Sequence, residues 1–234
     1  MIATVIPHVD DLHADQLVNR TVVMIDAFRA SSCMVTALAN GALFIIPAET
    51  VSKARELATD GILTGGERFG KSLEGFDLGN SPADYSADRV NNKGIVMTTT
   101  NGTRALLKAD RASEIRVGCF LNASSCAKAI RDLHRDVVFL CAGTRGSFSL
   151  EDGMAAGCIL HHLLEVIPSA ELSDLAHTLR LGYLSCRERL TDILPMSQAG
   201  RRLIARGHRR DLLDCLQRDR YDIVPRWQQG RIIR

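Results

Sequence analysis

Thr21-Val22-Val23-Met24-Ile25 is a short, β-branched run that ends on Asp26-Ala27-Phe28-Arg29 and passes into an apolar stretch from Ser31 to Asn40, closed by Gly41. The run reads as a strand buried on both faces. The stretch after it reads as a helix with a glycine C-terminal cap. The same unit recurs along the chain. Leu43 to Ile46 is a strand, followed by a helix from Thr50 to Thr59. Ile62-Leu63-Thr64 is a strand that runs into a glycine-rich stretch, Gly65 to Pro82. Strands at 94–99, 115–117 and 137–141 are followed by helices at 103–109, 124–134 and 149–165. Apolar runs alternating with helices predict a three-layer α/β/α fold with a mainly parallel sheet covered on both faces. Residues 172–216 are expected to be mostly helical, ending in a small hairpin from Ile223-Val224-Pro225 to Ile232-Ile233. A break at Pro168-Ser169 suggests an α/β core over 1–168 that carries the site. Residues 169–234 then form a mostly helical part packed on that core, or the two make a single domain.

Composition narrows the class. The 234 residues are 46% hydrophobic and 24% charged, close to soluble globular proteins. No apolar stretch approaches the roughly 20 residues of a membrane span. No basic start or small-residue cleavage site marks the N-terminus as a leader. The seven cysteines sit singly, with no C-x-x-C pair. They read as reduced core thiols of a cytoplasmic protein. Residues 201–234 hold ten arginines against four aspartates, a balance of +6, so the rest balances at −4. Because these arginines alternate with aspartates and leucines, as in Arg209-Arg210-Asp211-Leu212-Leu213-Asp214, the tail reads as a solvated amphipathic helix face and not as a nucleic-acid surface. A homo-oligomer is compatible with everything in the sequence.

Polar clusters follow the strands. Asp26 and Arg29 follow one, Gly65-Gly66-Glu67-Arg68 another, Thr98-Thr99-Thr100-Asn101-Gly102-Thr103-Arg104 a third, and Gly143-Thr144-Arg145-Gly146 a fourth. In an open α/β sheet ligands bind outside the carboxyl ends of the strands, so a parallel sheet would gather all four on one rim. The helix start at Thr99, Thr100, Asn101, Gly102 and Thr103 suits an anion, and Arg104 adds a planar fork for phosphate or carboxylate oxygens. The alternative is an ordinary Asn-Gly turn with Thr103 as N-cap. Arg68 and Arg145 are further candidates to hold an anionic ligand. Asp26 suits a metal ligand, a nucleophile, or simply a partner of Arg29. Asp26, Glu67, Asp77, Glu151 and Asp152 together suit a hard cation such as Mg²⁺, although Ser149-Leu150-Glu151-Asp152 also fits a capping box that opens a helix.

Other templates fit poorly. Gly65 to Ser72 matches the Walker A spacing, but two glycines and a proline follow where a P-loop needs a helix. Cys141 and Arg145 stand too close for a cysteine phosphatase loop, and Phe28 occupies the place of a second aspartate after Asp26. His161-His162 reads as part of a helix core.

The blocks Asp26 to Ser32, Gly66-Glu67-Arg68 with Gly75-Phe76-Asp77-Leu78-Gly79-Asn80-Ser81-Pro82, Thr98 to Arg104, and Cys141-Ala142-Gly143 with Ser149 to Asp152 resemble the 2-phosphosulfolactate phosphatase family over nearly the whole chain. Ser31 stands where the family more often has threonine. The resemblance implies a Mg²⁺-dependent phosphomonoesterase acting on a small anionic 2-hydroxy-acid phosphate. Because phosphoryl transfer spreads charge over the equatorial oxygens, Asp26, Arg29 and Arg104 are the residues expected to do the chemistry. A phospho-ligand sensor or a nucleotide hydrolase is the alternative.

Overall fold

The computed structural model describes residues 1–234. Its strands are β1 (Ile2–Ile6), β2 (Thr21–Ile25), β3 (Phe44–Pro47), β4 (Ile62–Arg68), β5 (Lys71–Ser72), β6 (Gly94–Thr98), β7 (Glu114–Val117), β8 (Val137–Cys141), β9 (Glu171–Leu172), β10 (Arg226–Gln228) and β11 (Arg231–Ile233). The helices are α1 (Ala30–Ala39), α2 (Val51–Leu57), α3 (Ala87–Val90), α4 (Gly102–Lys108), α5 (Ala123–Leu133), α6 (Leu150–Val166), α7 (Asp174–Cys186), α8 (Leu190–Ile193), α9 (Gln198–Ala205) and α10 (Arg209–Cys215). All eleven strands join in one sheet of order β5-β4-β6-β3-β11-β10-β7-β2-β8-β1-β9.

Alternation along the central strands explains their unbroken apolar runs. Val22 and Met24 of β2, with Val138 and Leu140 of β8, enter the core beneath α1 and α4. Val23 and Ile25, with Val137, Phe139 and Cys141, enter the opposite core beneath α5, α6 and α7. Ala54 of α2 packs on Val96 of β6 in a third, smaller cluster. Helices therefore cover both faces, and the expected α/β layering with a mainly parallel sheet holds. All seven cysteines are free thiols, six of them buried. No helix is long and apolar enough to cross a membrane.

The sheet departs from the expected single parallel array. Pairing is parallel within β4-β6-β3 and within β7-β2-β8-β1-β9. The hairpin β10–β11 stands between these halves and pairs antiparallel with β7 on one side and β3 on the other. Three antiparallel steps in a row make the halves run in opposite senses. Sheet twist works against that opposition. At roughly 20–25° per step, and more in ribbons, the five steps from β6 to β2 turn the strand direction by on the order of 100–125°. The carboxyl ends of the two halves are thus swung back toward each other. Each seam is held by a single residue pair, Arg226 opposite Arg116 and Ile232 opposite Ile45, which leaves room for a strong local twist. β1 lies beside β8 in the parallel half, although no strand is expected there from the sequence.

Ile232 is fully buried in the core that both halves share. Ile232→Ala is expected to cost about 2–5 kcal/mol, read as a lower urea midpoint with an unchanged slope.

Candidate functional site

The loops after β2, β4, β6 and β8 open on one cleft of about 500 Å³, closed on its remaining side by α9. Asp26, Arg29, Glu67, Asn80, Thr100, Asn101, Arg104, Arg145, Arg202 and Arg206 all line it. Five arginines face two carboxylates there, so the cavity selects for anions.

The β2–α1 turn is held from several sides. The Asp26 amide donates to Ser31 Oγ at 2.8 Å, and Ser32 Oγ donates to the Ala27 carbonyl at 2.9 Å. Ser31 thus secures the turn and does not cap the helix. The Ala30 amide donates to Asp26 Oδ1 at 3.3 Å, which leaves Oδ2 without a protein donor. Burial, reinforced by Glu67 and Glu151, pushes the Asp26 carboxyl up to about 7. Arg29 is buried and ion-paired with Asp211 of α10. Asp211 also accepts from Ser81 Oγ at 2.8 Å and lies 3.3 Å from His208 Nδ1. Arg104 is held by Asp10, which Lys108 also reaches at 3.1 Å. These two cations keep the Asp10 carboxyl below its usual range.

Several candidate residues brace the cleft without lining it. Thr103 Oγ1 donates to the Thr99 carbonyl at 2.9 Å, and the Thr103 amide donates to Thr99 Oγ1 at 3.1 Å. Both threonines are buried and lock the loop, and the N-cap is Asn101 rather than Thr103. Gly102, at the start of α4, packs against the β2–α1 turn of the other half of the sheet. A Cβ there would sit 2.6 Å from Ala30 Cβ and 2.8 Å from Asp26 Oδ2, so only glycine fits. Arg68 donates to the Thr99 carbonyl at 2.7 Å, to Thr98 Oγ1 at 2.8 Å and to the Glu49 carbonyl. It ties the end of β4 to the end of β6 and is spent on the backbone. Asp77 accepts from the amide and the hydroxyl of Thr64, each at 2.8 Å. Those bonds hold its carboxyl low and tie Asp77 to β4, outside the cleft lining.

Asp152 and Glu151 also sit outside the main cavity. Asp152 accepts from the Ala27 amide at 2.8 Å and the Gly143 amide at 3.0 Å, joining the β2–α1 turn to the β8–α6 loop. It does not reach back to Ser149, and Ser149 Oγ donates to Thr144 Oγ1 at 2.9 Å, so the expected capping box does not form. Burial, with Glu151 and Asp26 beside it, drives the Asp152 carboxyl well above its ordinary value. Glu151 lines a smaller side cavity of about 280 Å³ with Ser149, Ser197 and Arg202. Its Oε2 is buried and unpartnered.

The five carboxylates do not converge on one point, and no group of three or more His, Cys, Asp or Glu side chains is placed to hold a metal ion. On the cleft wall stand Asp26, with Oδ2 free, and Glu67, whose oxygens accept from the Thr100 amide at 2.7 Å and from the Gly70 amide. A hard cation there would take one or two carboxylates and complete its shell with water or ligand oxygens, which is the usual habit of Mg²⁺.

Three contributions were not legible in the sequence. Arg202 and Arg206 lie one helical turn apart on α9 and its C-terminal cap, facing the cleft with Leu203. Asp211 is buried against Arg29, not solvated as the tail's charge pattern suggests. The usable signal was the net +6 of residues 201–234, together with the i, i+4 spacing of Arg202 and Arg206. Asn80, whose buried Oδ1 has no partner, was visible only as part of a loop. The Walker-like stretch forms the β4–β5 hairpin, with Lys71 exposed and no helix starting there.

A family model described as 2-phosphosulpholactate phosphatase matches residues 6–230. A probable 2-phosphosulfolactate phosphatase of Clostridium beijerinckii is 38% identical over 229 residues, covering 95% of each chain. One of Caldanaerobacter subterraneus subsp. tengcongensis is 41% identical over 218 residues, covering 92% of this chain and 90% of its own. Another, of Thermotoga maritima, is 39% identical over 214 residues, covering 92% of each.

A carboxyl raised in the folded state favours folding below its unfolded pKa, and that contribution fades as pH rises through the folded value. For Asp26 the window runs from the ordinary aspartate value of 3.8 up to about 7. Asp26→Asn keeps the acceptor for Ala30 and removes the charge. In metal-free buffer it should raise Tm more at pH 8 than at pH 4. An equal shift at both pH values would show that the carboxyl is not raised.

Proposed function

The chain belongs to the 2-phosphosulfolactate phosphatase family and is a phosphoric monoester hydrolase; from that premise we propose that its cleft hydrolyses 2-phosphosulfolactate, or a closely related 2-hydroxy-acid phosphate, with Mg²⁺. The observation that carries this reading is the meeting of Asp26, Arg29 and Arg104 in one anion-selective cavity. The substrate class carries a phosphate beside at least one further acid. A wall of arginines suits that charge, and apolar anchoring is minor.

In phosphoryl transfer, charge spreads over the equatorial oxygens, so catalysis is largely positioning and charge stabilisation. Arg29 suits the transferring phosphoryl because Asp211 fixes its guanidinium before substrate arrives. Arg104, fixed by Asp10, approaches from the β6 side, and Asn101 offers an amide beside it. Asp26 presents Oδ2 to the same space. As nucleophile Asp26 would attack phosphorus as the ester P–O bond breaks and the 2-hydroxy acid leaves, and water would then hydrolyse the phosphoaspartate; as a ligand it would hold the cation together with Glu67 while a water attacks phosphorus. Mg²⁺, when bound, supplies neutralising charge on the phosphoryl oxygens, and it would relieve the crowding of Asp26 against Glu67 and Glu151. Burial of the turn beneath the cleft keeps these charges in a low dielectric, where each counts for more than in water.

Phosphate release from 2-phosphosulfolactate and 2-phospholactate in millimolar Mg²⁺ tests the reading. EDTA should abolish turnover and Mg²⁺ should restore it. Arg104→Ala should lower kcat and kcat/KM together by about 10²–10³, and Asp26→Asn should lose nearly all turnover. A trapped phosphoaspartate assigns attack to Asp26. Weakened Mg²⁺ binding in Asp26→Asn, with no trappable phosphoaspartate in the wild type, assigns Asp26 to holding the metal and attack to water. Tight binding of both esters without phosphate release, or near wild-type kcat in both variants, would overturn the proposal.

A further inference from the structure

The five arginines of the cleft fall into two groups. Arg29 and Arg104 are each ion-paired to a carboxylate of the protein, Asp211 and Asp10. Arg145, Arg202 and Arg206 form no side-chain hydrogen bond and no ion pair within 4.0 Å. All three come from one wall, made of the β8–α6 loop and α9. The paired arginines are pre-set, and the unpaired ones keep every donor for something else.

Three further observations show that this wall is built for its side chains. The first is Arg145, which adopts φ 53° beside Gly146 at φ 73°. Thr144 and Ser147 pair across them, with amide-to-carbonyl bonds of 2.8 and 3.1 Å. Two residues at positive φ define a turn that prefers Asn-Gly or Asp-Gly. A β-unbranched but bulky arginine is held there against its backbone preference, which marks positions where the side chain matters more than local stability. The second is Gly70 at the tip of the β4–β5 hairpin, where a Cβ would sit 1.6 Å from Arg206 Nη1. The turn at Gly70, φ 73°, calls for glycine in its own right, and Arg206 occupies the space beside it. The third is Arg202, which borders both the cleft and the side cavity holding Glu151, on the same wall as Arg145 and Arg206; burial and Arg145 shift its guanidinium pKa down, against Glu151. Three like charges on one cavity wall, only partly offset by Glu151, suit an anionic ligand.

Resting on the reading of the cleft given above, we infer that Arg202 and Arg206, with Arg145, form a second anion subsite that grips the acid groups which are not transferred, and that this wall sets the preference for a substrate with a sulfonate or second carboxylate. The phosphoryl end lies against Asp26, Arg29 and Arg104. The carboxylate and sulfonate of a 2-phosphosulfolactate branch from carbons on either side of the ester. An unpaired guanidinium offers a planar fork that matches two oxygens of either group. Groups that are charged in both ground and transition states are gripped equally in each, so this wall governs binding more than turnover.

The experiment compares 2-phosphosulfolactate with 2-phospholactate, which lacks the sulfonate. In Arg206→Ala and Arg202→Ala, KM for 2-phosphosulfolactate should rise about 10- to 100-fold, while kcat falls far less. The ratio of kcat/KM for 2-phosphosulfolactate over 2-phospholactate should fall by a similar factor. Arg145→Asn suits the turn better than the native residue, so it should hold or raise Tm while KM rises. Arg201→Ala removes an equal charge from the same helix outside the cleft, where Arg201 bonds the Met196 carbonyl, and serves as the control. Hydrolysis by the wild-type protein with an unmoved KM in both α9 variants, or with kcat falling as steeply as kcat/KM, overturns the subsite and leaves the phosphatase reading standing. An equal KM rise in Arg201→Ala also overturns it, since general charge would then suffice. Absence of wild-type hydrolysis overturns the phosphatase reading and the subsite with it.

Discussion

Everything in this molecule turns on how closely the start of α4 can approach the start of α1. The two halves of the sheet run in opposite senses, so their strand ends meet only if the twist carries them round and nothing blocks the contact. Gly102 removes the block. With a Cβ at that position, Ala30 and Asp26 would have to move. Thr99 and Thr103 freeze the α4 side of the joint through reciprocal bonds. Ser31 and Ser32 freeze the α1 side. A cleft assembled from opposed half-sheets needs no continuous rim, only one tight seam and rigid turns beside it.

The charge arrangement follows from that seam. Bringing the β2, β4 and β8 ends together places Asp26, Glu151 and Asp152 in a poorly solvated region, where burial raises the proton affinity of each and Glu151 adds to the effect at Asp26 and Asp152. Left alone, such a group is costly. Asp152 offsets part of the cost by accepting two backbone amides. Arg29 and Arg202 supply positive charge from the cleft side. Acids beneath and arginines above make a polarised cavity, in which an anionic ester is drawn toward the arginines while a hard cation is drawn toward the acids.

Much of the local structure was legible. Thr21–Ile25 and Val137–Cys141 are strands at the expected residues because runs of four and five apolar residues bounded by polar ones leave little choice. The clusters after β2, β6 and β8 were legible as site material because polar residues at strand ends are rarely needed for packing. Strand direction was not legible. It depends on a hairpin distant in sequence, from 226 to 233, whose register against each half is set by a single ladder pair. Nor does a sequence reveal whether a polar residue spends its bonds inward. Arg68 and Asp77 carry the right chemistry for a site, yet Arg68 binds carbonyls and Asp77 binds Thr64. Asp211 misled in the opposite direction. Its neighbours Arg209 and Arg210 are exposed, but the helix phase that buries Leu212 and Cys215 also buries Asp211.

The C-terminal segment therefore does two jobs through one piece of chain. Its last residues join the half-sheets, and α9 and α10 supply Arg202, Arg206 and the Asp211 that fixes Arg29. The buried Arg29–Asp211 pair is the link between them. Removing one member of a buried pair leaves the other uncompensated, which costs far more than the pair itself contributes. Docking of α10 and correct placement of Arg29 are then coupled physically. A chain in which the tail has not docked has neither a stitched sheet nor a pre-set cation in its cleft, so the anion site is completed only as the fold is completed.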